Sequence, residues 1–366
     1  MKILFLTAFV PNDGAAAEKN TKLMLEDLSH DNEVDLVYFK YKDDFQYISH
    51  NDHINVLYSF RISTLKKLIN ILFFPIVYPI FSVRFNWLIF IRLFRRIKKT
   101  KYDVIICDHS QMFLYGKLLS NKITKIFLSH DVIIQRVQRT SSLLIQKICY
   151  YSEKYCITNK NTYVFSFCQK DCSLIHNNYG VNALLCLDYI DPLIIKALPN
   201  TIENYYVFMG KWSRADNLEG VKWFFNTVTK NISKKIIIKI IGKNFPVEIL
   251  GNINSNISIE ILGFVQNPYP IIANAKAMLA PLFTGAGIKV KVIEALACGT
   301  PVIGTDIAFE GINSTCKELM LFANSSVEFL SQMDKVNISL EKRVELKQKF
   351  INGYTSITIP KFIKQL

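Results

Sequence analysis

The sequence predicts an α/β protein built from two Rossmann-type units, and three observations carry that reading. Apolar runs of strand length alternate with amphipathic, helix-length segments along the chain, the pattern of parallel sheets with right-handed crossovers. A length of 366 residues suggests two domains at about 150 residues each. Asp191-Pro192 and Pro199-Asn200 punctuate the stretch between Asp188 and Asn204, which separates two such alternating series.

In the first series KILFLTAFV reads as a buried strand. The segment AAAEKNTKLMLEDLS has helical spacing through Leu23, Met24 and Leu28, and NEVDLVYF and HINVLYS read as strands. YDVIICD and KIFLSHD are apolar runs on either side of the helix-like QMFLYGKLL. One long helix is expected over 132–157, followed by the strand NTYVFSF. The second series begins with the strand YYVFMG and the helix NLEGVKWFFNTVTKNI. It continues with KIIIKIIG, ISIEILGFV, PYPIIANA, AMLAPL, IKVKVIEALACG and PVIGT as alternating strands and helices. These patterns divide the chain into an N-terminal unit (1–190), a C-terminal unit (191–345) and a partly helical segment (346–366).

Half the residues are hydrophobic and a fifth are charged, which excludes a disordered chain. Gly and Pro, 14 and 11 residues, are too few for collagen-like or low-complexity architectures. The eight cysteines are scattered without a CxxC pair or zinc-type spacing and read as buried thiols in a reducing cytosol. The N-terminal MKILFLTAFVPNDGAAA reads as a first strand and its loop in preference to a signal peptide, because the apolar run is short and Pro-Asn-Asp-Gly follows it. The run Leu68–Val83 is 16 residues long and holds Asn70, Pro75 and Pro79; a spanning helix needs about 20 apolar residues.

The net charge is +14, and its distribution is uneven. No acidic residue lies between Asp52 and Asp103, where ten basic ones do. The segment 53–102 interleaves aromatic and basic residues, as in FNWLIFIRLFRRIKK, a composition that suits an anionic membrane surface. The competing reading is a set of core helices with a solvated basic edge. No nucleic-acid recognition motif accompanies the charge.

Four constellations carry chemistry. In TGAGIKVKVIEALACGTPVIGT, Gly285 and Gly287 separate a strand from a helix. Small residues there let backbone N–H groups approach an anion, and the helix start adds a positive dipole. Lys289, expected in the first helical turn, opposes that dipole unless an anion binds. On the same helix Val290, Ile293, Leu296 and Ala297 form the expected apolar face, and Glu294 at its edge suits two ribose hydroxyls. Its bland reading is an i,i+3 pair with Lys291. In MGKWSRADN, Gly210 ends a strand, and Lys211 and Arg214 lie beside a helix start, an arrangement for phosphate. PNDGAA follows the first strand at the edge where open α/β sheets bind ligands, without a full GxGxxG. His130 and Asp131 follow a strand directly, with His109 as a rival at the end of the preceding one.

Together these residues resemble a GT-B glycosyltransferase of family GT4, glycosyl transferases group 1, in the subgroup of bacterial capsule, O-antigen and exopolysaccharide clusters. The resemblance covers nearly the whole chain and is specific in its C-terminal half. It implies two Rossmann-like domains facing a central cleft, with the nucleotide-sugar donor held mainly by the C-terminal one and the segment 346–366 packing back on the N-terminal one. Carried over, Lys211 and Lys289 match the donor-diphosphate contacts and Glu294 the ribose-binding Glu that ends the family's E-x7-E pattern. Gly263-Phe264-Val265 matches the segment whose backbone reads the base, Gly14 an N-terminal glycine near the phosphates, and His130 a His beside the transferred sugar. Three departures stand out: Ala286 occupies the place of the first Glu, Asn217 that of a usual Lys, and Gly14-Ala15 that of a Gly-Gly pair.

The resemblance implies a retaining, metal-independent glycosyltransferase with no cofactor, a UDP-sugar being slightly favoured as substrate. The expected acceptor is a polyprenyl-diphosphate-linked glycan, and the expected place is the cytoplasmic face of the membrane, peripherally bound. A nucleoside diphosphate leaves with developing negative charge, which lysines and a helix start stabilise. The expected donor-binding set is Gly14, Gly210, Lys211, Arg214, Val265, Gly285, Gly287, Lys289 and Glu294, with His130, Lys289 and Glu294 at the reacting centre. The rival from another class is a catalytically silent glycosyltransferase-like subunit that binds a partner enzyme at the membrane. An NAD-dependent dehydrogenase is disfavoured by the missing GxGxxG.

Overall fold

The computed structural model describes residues 1–366 apart from 15, 43, 50, 188, 252, 286, 313 and 355–357. The chain divides into two compact units, Met1–Tyr189 with Ile357–Leu366, and Ile190–Ser356. Of the expected hinge, Asp188 lies outside the described residues.

Unit 1 is a seven-stranded parallel sheet of β1 (Lys2–Thr7), β2 (Glu33–Phe39), β3 (Ile54–Phe60), β4 (Val104–Asp108), β5 (Thr124–Ser129), β6 (Thr162–Ser166) and β7 (Leu184–Leu185). Its spatial order is β3-β2-β1-β4-β5-β6-β7. Between the strands run α1 (Ala16–Ser29), α2 (Thr64–Phe73), α3 (Pro79–Ser82), α4 (Trp87–Lys99), α5 (Phe113–Leu118), α6 (Ile133–Thr140), α7 (Leu143–Ile157) and α8 (Gln169–Tyr179). The central strands read as continuous apolar runs because a parallel sheet is covered on both faces, and β4, VIICD, is buried throughout.

Unit 2 begins with α9 (Pro192–Lys196) and holds a six-stranded parallel sheet. Its strands are β8 (Glu203–Met209), β9 (Ile236–Ile241), β10 (Ile257–Gly263), β11 (Ala275–Ala280), β12 (Val302–Gly304) and β13 (Met320–Phe322), in the order β10-β9-β8-β11-β12-β13. Its other helices are α10 (Ala215–Trp223), α11 (Tyr269–Asn274), α12 (Val290–Ala297), α13 (Ser326–Lys335) and α14 (Leu340–Tyr354). The short α15 (Ile359–Ile363) belongs to unit 1. Among the described residues the thirteen strands lie in doubly wound sheets of Rossmann-like type, as expected.

Three local expectations change. The helix foreseen over 132–157 is two helices, α6 and α7, broken at Ser141-Ser142, and the buried Glu153 of α7 accepts the Ile133 and Ile134 N–H groups at the start of α6 (both 2.9 Å). The helix after Asn217 ends at Trp223 in a wide turn, Phe224–Val228, that packs Phe224 against Phe208 at 5.2 Å. The boundary expected at 346 falls inside α14, which stays with unit 2 to its end at Tyr354; Ile357–Leu366 belong to unit 1. Lys347 of α14 donates to the Ile194 and Ala197 carbonyls, the latter at 2.6 Å, and Arg343 donates to Ala275 O at 2.6 Å, both side chains being buried.

Each sheet is wound from its middle. The chain enters at β1, moves outward to β2 and β3, then returns to β4 on the other flank of β1; β8, β9, β10 and β11 repeat the path. The carboxyl ends at β1/β4 and at β8/β11 are therefore the crevices where open α/β sheets bind ligands.

Candidate functional site

Unit 2 gathers glycines, amines and a carboxylate at its crevice. After β8, Gly210 passes under β9, where Gly242 sits at φ +133° with its amide donating to Gly263 O at 2.7 Å. A Cβ on Gly242 would meet the Gly210 carbonyl at 2.0 Å, so the loop after β8 and the end of β9 approach this closely only because this residue is glycine. Trp212, buried, packs edge-on against Phe245 at 5.0 Å and anchors the loop that carries Lys211 and Arg214.

Lys211 is exposed. Arg214 is ion-paired with Asp216 at 2.7 Å. Burial works against ionisation of Asp216, but hydrogen bonding and charge from Arg214, with the charge of Lys291, hold its carboxyl below the usual range. Asn217 is buried at the start of α10; its amide donates to Lys211 O at 2.9 Å and accepts from Lys291 Nζ at 2.7 Å. The position where the resemblance led one to expect a lysine is thus served by an amine from α12. Burial pushes the Lys291 amine down to about 8, helped by Arg214 and Lys289 and opposed by Asp216. Sequence reasoning treated Lys291 only as a partner for Glu294; the even spacing of Lys289 and Lys291 was the available signal.

Gly285 and Gly287 take φ of +115° and +69°, open turn conformations that favour glycine. Lys289 is the residue before α12, not in its first turn, and its buried amine donates to Gly287 O at 2.6 Å. A Cβ at Gly285 would lie 3.5 Å from Lys289 Cε and 3.7 Å from Asp216 Oδ2, which measures how closely the two loops meet. Ala286 lies outside the described residues, as does Ala15. The buried face of α12 also differs from expectation. Val292, Ile293, Ala295, Leu296 and Ala297 are buried, while Val290, Lys291 and Glu294 share the partly open side.

Glu294 is held from α11. The Tyr269 hydroxyl donates to Glu294 Oε1 at 2.9 Å and lies 3.3 Å from Asp191 Oδ2. Burial and these two carboxylates raise the Tyr269 phenol far above its ordinary value, so it stays a donor. Gly263 ends β10 at φ +64°, the next ring, Phe264, is exposed under Lys243 Nζ at 4.5 Å, and Val265 is partly buried.

Unit 1 places different chemistry at its crevice. Asp108 ends β4, fully buried; its Oδ2 accepts from Thr7 (2.8 Å) and Thr21 (2.7 Å), and its Oδ1 is 2.7 Å from His130 Nε2. Burial opposes ionisation of this carboxyl, but the neighbouring imidazoles and the hydrogen bonds from His130 and Thr21 hold it well below the usual carboxylate range. His109 stacks on His130 with centroids 3.7 Å apart and planes at 16°. Burial pushes His109 down to about 3, against the Asp108 charge, so it is neutral at pH 7. Sequence reasoning found His130 and its rival but missed Asp108, Thr7 and Thr21: β1/β4 pairing sets Thr7 beside Asp108, and α1 brings Thr21 to the same carboxylate. The atoms of Asp108, His109 and His130 that could ligate a metal lie within 4.8 Å of one another. The face-to-face stacking of the two rings suits packing around a carboxylate better than convergence on an ion. In the loop after β1, Gly14 N–H donates to Asn12 Oδ1 at 2.6 Å.

Residues 203–336 match the family model described as Glycosyl transferases group 1. A Klebsiella pneumoniae protein described as an uncharacterized 44.6 kDa protein in cps region is 22% identical over 300 residues, with 72% of each chain covered. Among solved structures the chain is similar to sucrose-phosphate synthase from Thermosynechococcus elongatus, with TM-score 0.67, 12% identity, and 100% of this chain and 98% of that one covered. It is also similar to WaaG, a glycosyltransferase involved in lipopolysaccharide biosynthesis, with TM-score 0.65, 11% identity, and 99% and 98% covered. Anabaena HepE in complex with UDP gives TM-score 0.63 at 14% identity, with 100% and 98% covered. The fold is that of the GT-B glycosyltransferases, and with the matched segment it supports a glycosyltransferase.

Proposed function

We propose that the chain is a retaining GT4 enzyme that moves a sugar from a nucleotide-sugar donor, a UDP-sugar for preference, to a polyprenyl-diphosphate-linked glycan in bacterial surface-polysaccharide assembly. One observation carries this reading: Gly285, Gly287, Lys289, Lys291 and Asn217 meet at the carboxyl edge of β8/β11, within the segment that matches the glycosyltransferase family. HepE binds UDP, and the Klebsiella relative lies in a cps region; both support the donor and the pathway.

In this account Lys211, Arg214 and Lys289, with Gly210, Gly285 and Gly287, hold the diphosphate. Their charge stabilises the leaving group as its negative charge develops. Glu294 takes the ribose hydroxyls in the orientation Tyr269 gives it, and Val265 borders the base. Gly14 and His130 of unit 1 serve the phosphate and sugar end, with Asp108 fixing the His130 ring. The chemistry asks for no cofactor. The purified chain, given a panel of radiolabelled nucleotide sugars, releases nucleoside diphosphate from one of them and labels a lipid-diphosphate acceptor. A folded chain that turns over none of them is the silent subunit instead.

The acceptor side is proposed to rest peripherally on the cytoplasmic face of the membrane. Of the ten residues of α2 only Asn70 is buried; Leu72 and Phe73, with Ile76 beyond the helix end, are 78%, 69% and 77% exposed. On α4, Trp87, Leu88, Ile91 and Phe94 are exposed among Arg92, Arg95, Lys98 and Lys99. An apolar face rimmed with cations gains both burial and charge attraction, about 1 kcal/mol per basic residue, on anionic lipid. No described helix is long and apolar enough to cross a membrane. Salt-sensitive flotation with phosphatidylglycerol vesicles is expected; absence of flotation contradicts this part.

A further inference from the structure

Arg84, in the loop between α3 and α4, is a buried cation outside the donor crevice of unit 2. It is 7% exposed, and its guanidinium lies over the rings of Phe39, Phe9 and Tyr41 at 4.4, 4.7 and 5.3 Å. Its two terminal nitrogens donate to the Ala8 carbonyl and the Tyr41 hydroxyl. Both are neutral acceptors. Among the described residues no carboxylate forms an ion pair with it, and Asp44, on the exposed loop after β2, acts on it only through space.

A guanidinium carries five donors in a fork matched to carboxylate and phosphate, and a buried charge is ordinarily paired. The place of this one is informative. Ala8 follows β1 and Phe39 ends β2, so the fork sits over the carboxyl ends of two adjacent strands, at the ligand-bearing edge. Phe9 links it to the site beside it, since the Phe9 ring also packs edge-on against His109 at 4.8 Å, and His109 stacks on His130. The row Arg84, Phe9, His109, His130 therefore runs along the edge, with a cation at one end and Asp108 beside the other. Lys67, 6.0 Å from the Tyr41 ring, adds charge from the exposed apolar helix α2.

We infer that Arg84 is an anion site that binds a phosphate group of the acceptor, which exchanges for the Tyr41 hydroxyl on the guanidinium fork and registers the acceptor's sugar against the His109–His130 end of the row. The inference rests on the reading of unit 1 as the acceptor side. The purely structural account of the same contacts is an Arg that ties the loop after β2 to the end of β1, and the two accounts separate in a binding experiment.

The probes are farnesyl diphosphate, farnesol and inorganic pyrophosphate, titrated into the full chain in saturating UDP so that unit 2 is occupied. Wild-type protein binds farnesyl diphosphate and not farnesol. Arg84→Lys keeps the charge and loses the fork, and weakens farnesyl diphosphate about tenfold; Arg84→Met weakens it further. Both variants keep wild-type affinity for UDP, which reports that unit 2 is intact, and circular dichroism reports the fold. Tyr41→Phe removes the neutral stand-in and leaves the fork, and holds or improves the affinity. A matching loss with pyrophosphate identifies the phosphate as the recognised group, whereas a loss confined to farnesyl diphosphate identifies a lipid headgroup. Unchanged affinity in both Arg84 variants, or equal binding of farnesol by wild type, overturns the inference. Failure of wild type to bind UDP counts against the proposed function and leaves the Arg84 comparison to be read from the same diphosphate titration.

Discussion

The two sheets are wound alike, from β1 outward and back to β4 and from β8 outward and back to β11, yet their carboxyl edges carry opposite chemistries. The second edge is glycine and amine: open turns at Gly285 and Gly287, Lys289 against the Gly287 carbonyl, and Lys291 on Asn217. The first is ring and carboxylate: Asp108 under His130 and His109, with Phe9 leading to the buried Arg84. A shared topology fixes where a ligand sits; the side chains at that place decide what it is. Backbone and amines suit a diphosphate, while a row of rings and imidazoles suits a sugar and its hydroxyls.

Three substitutions sharpen or break that contrast. The largest effect is expected from Lys289→Ala, which removes a cation from the leaving-group side and should cost at least about a hundredfold in turnover. The melting temperature should stay near wild type; turnover within a few-fold of wild type would remove Lys289 from the site.

Asp108→Asn comes next. It keeps the shape, loses the charge that orients His130, and should lower turnover about tenfold with little change in donor affinity. The same variant tests the sign of the carboxyl's shift. A group whose folded value is depressed contributes stability above the ordinary carboxylate pKa of about 3.9, and that contribution is lost as pH falls through the folded value. Urea midpoints should therefore fall more steeply in wild type than in Asp108→Asn as the pH is taken from 6 down toward 3. Parallel curves would mean that the carboxyl is not held ionised by its partners.

The smallest effect belongs to Lys291. Its amine, held at about 8 by burial, is charged below that pH and neutral above it. A diphosphate needs the charged form, so nucleotide affinity should fall a few-fold as pH rises through about 8, and Lys291→Met should flatten the profile. Between that pH and the ordinary lysine value of about 10.4 the unfolded chain binds more protons, so stability rises with pH there. An unchanged affinity profile in Lys291→Met would take the amine out of the donor site.

The doubly wound architecture was legible because strands buried on both faces write themselves as unbroken apolar runs, as in VIICD and KIIIKIIG. The glycine turns and Lys289 were legible because they are local in sequence. Asp108, Thr7 and Thr21 were not, since Thr7 meets Asp108 through strand pairing across a hundred residues and Thr21 reaches it from α1 through the tertiary fold. Nor was Glu153, whose place at the start of α6 depends on the break at Ser141-Ser142. Lys291 and Tyr269 escaped for the same reason: local spacing offered Lys291 to Glu294, whereas the fold pairs Lys291 with Asn217 and Glu294 with Tyr269. Arg84 stood out only as one of ten cations until the fold showed it buried.

The central claim, that unit 2 receives the nucleotide end of the donor, is tested most directly by thermal stabilisation of the purified chain against UDP, GDP, dTDP, CMP, ADP and NAD. At about 100 times its dissociation constant a ligand adds ~2.7 kcal/mol of stability. The account predicts a shift with one nucleoside diphosphate, UDP for preference, that Lys289→Ala abolishes. No shift with any of the six in a folded sample, or a shift untouched by Lys289→Ala, would contradict it.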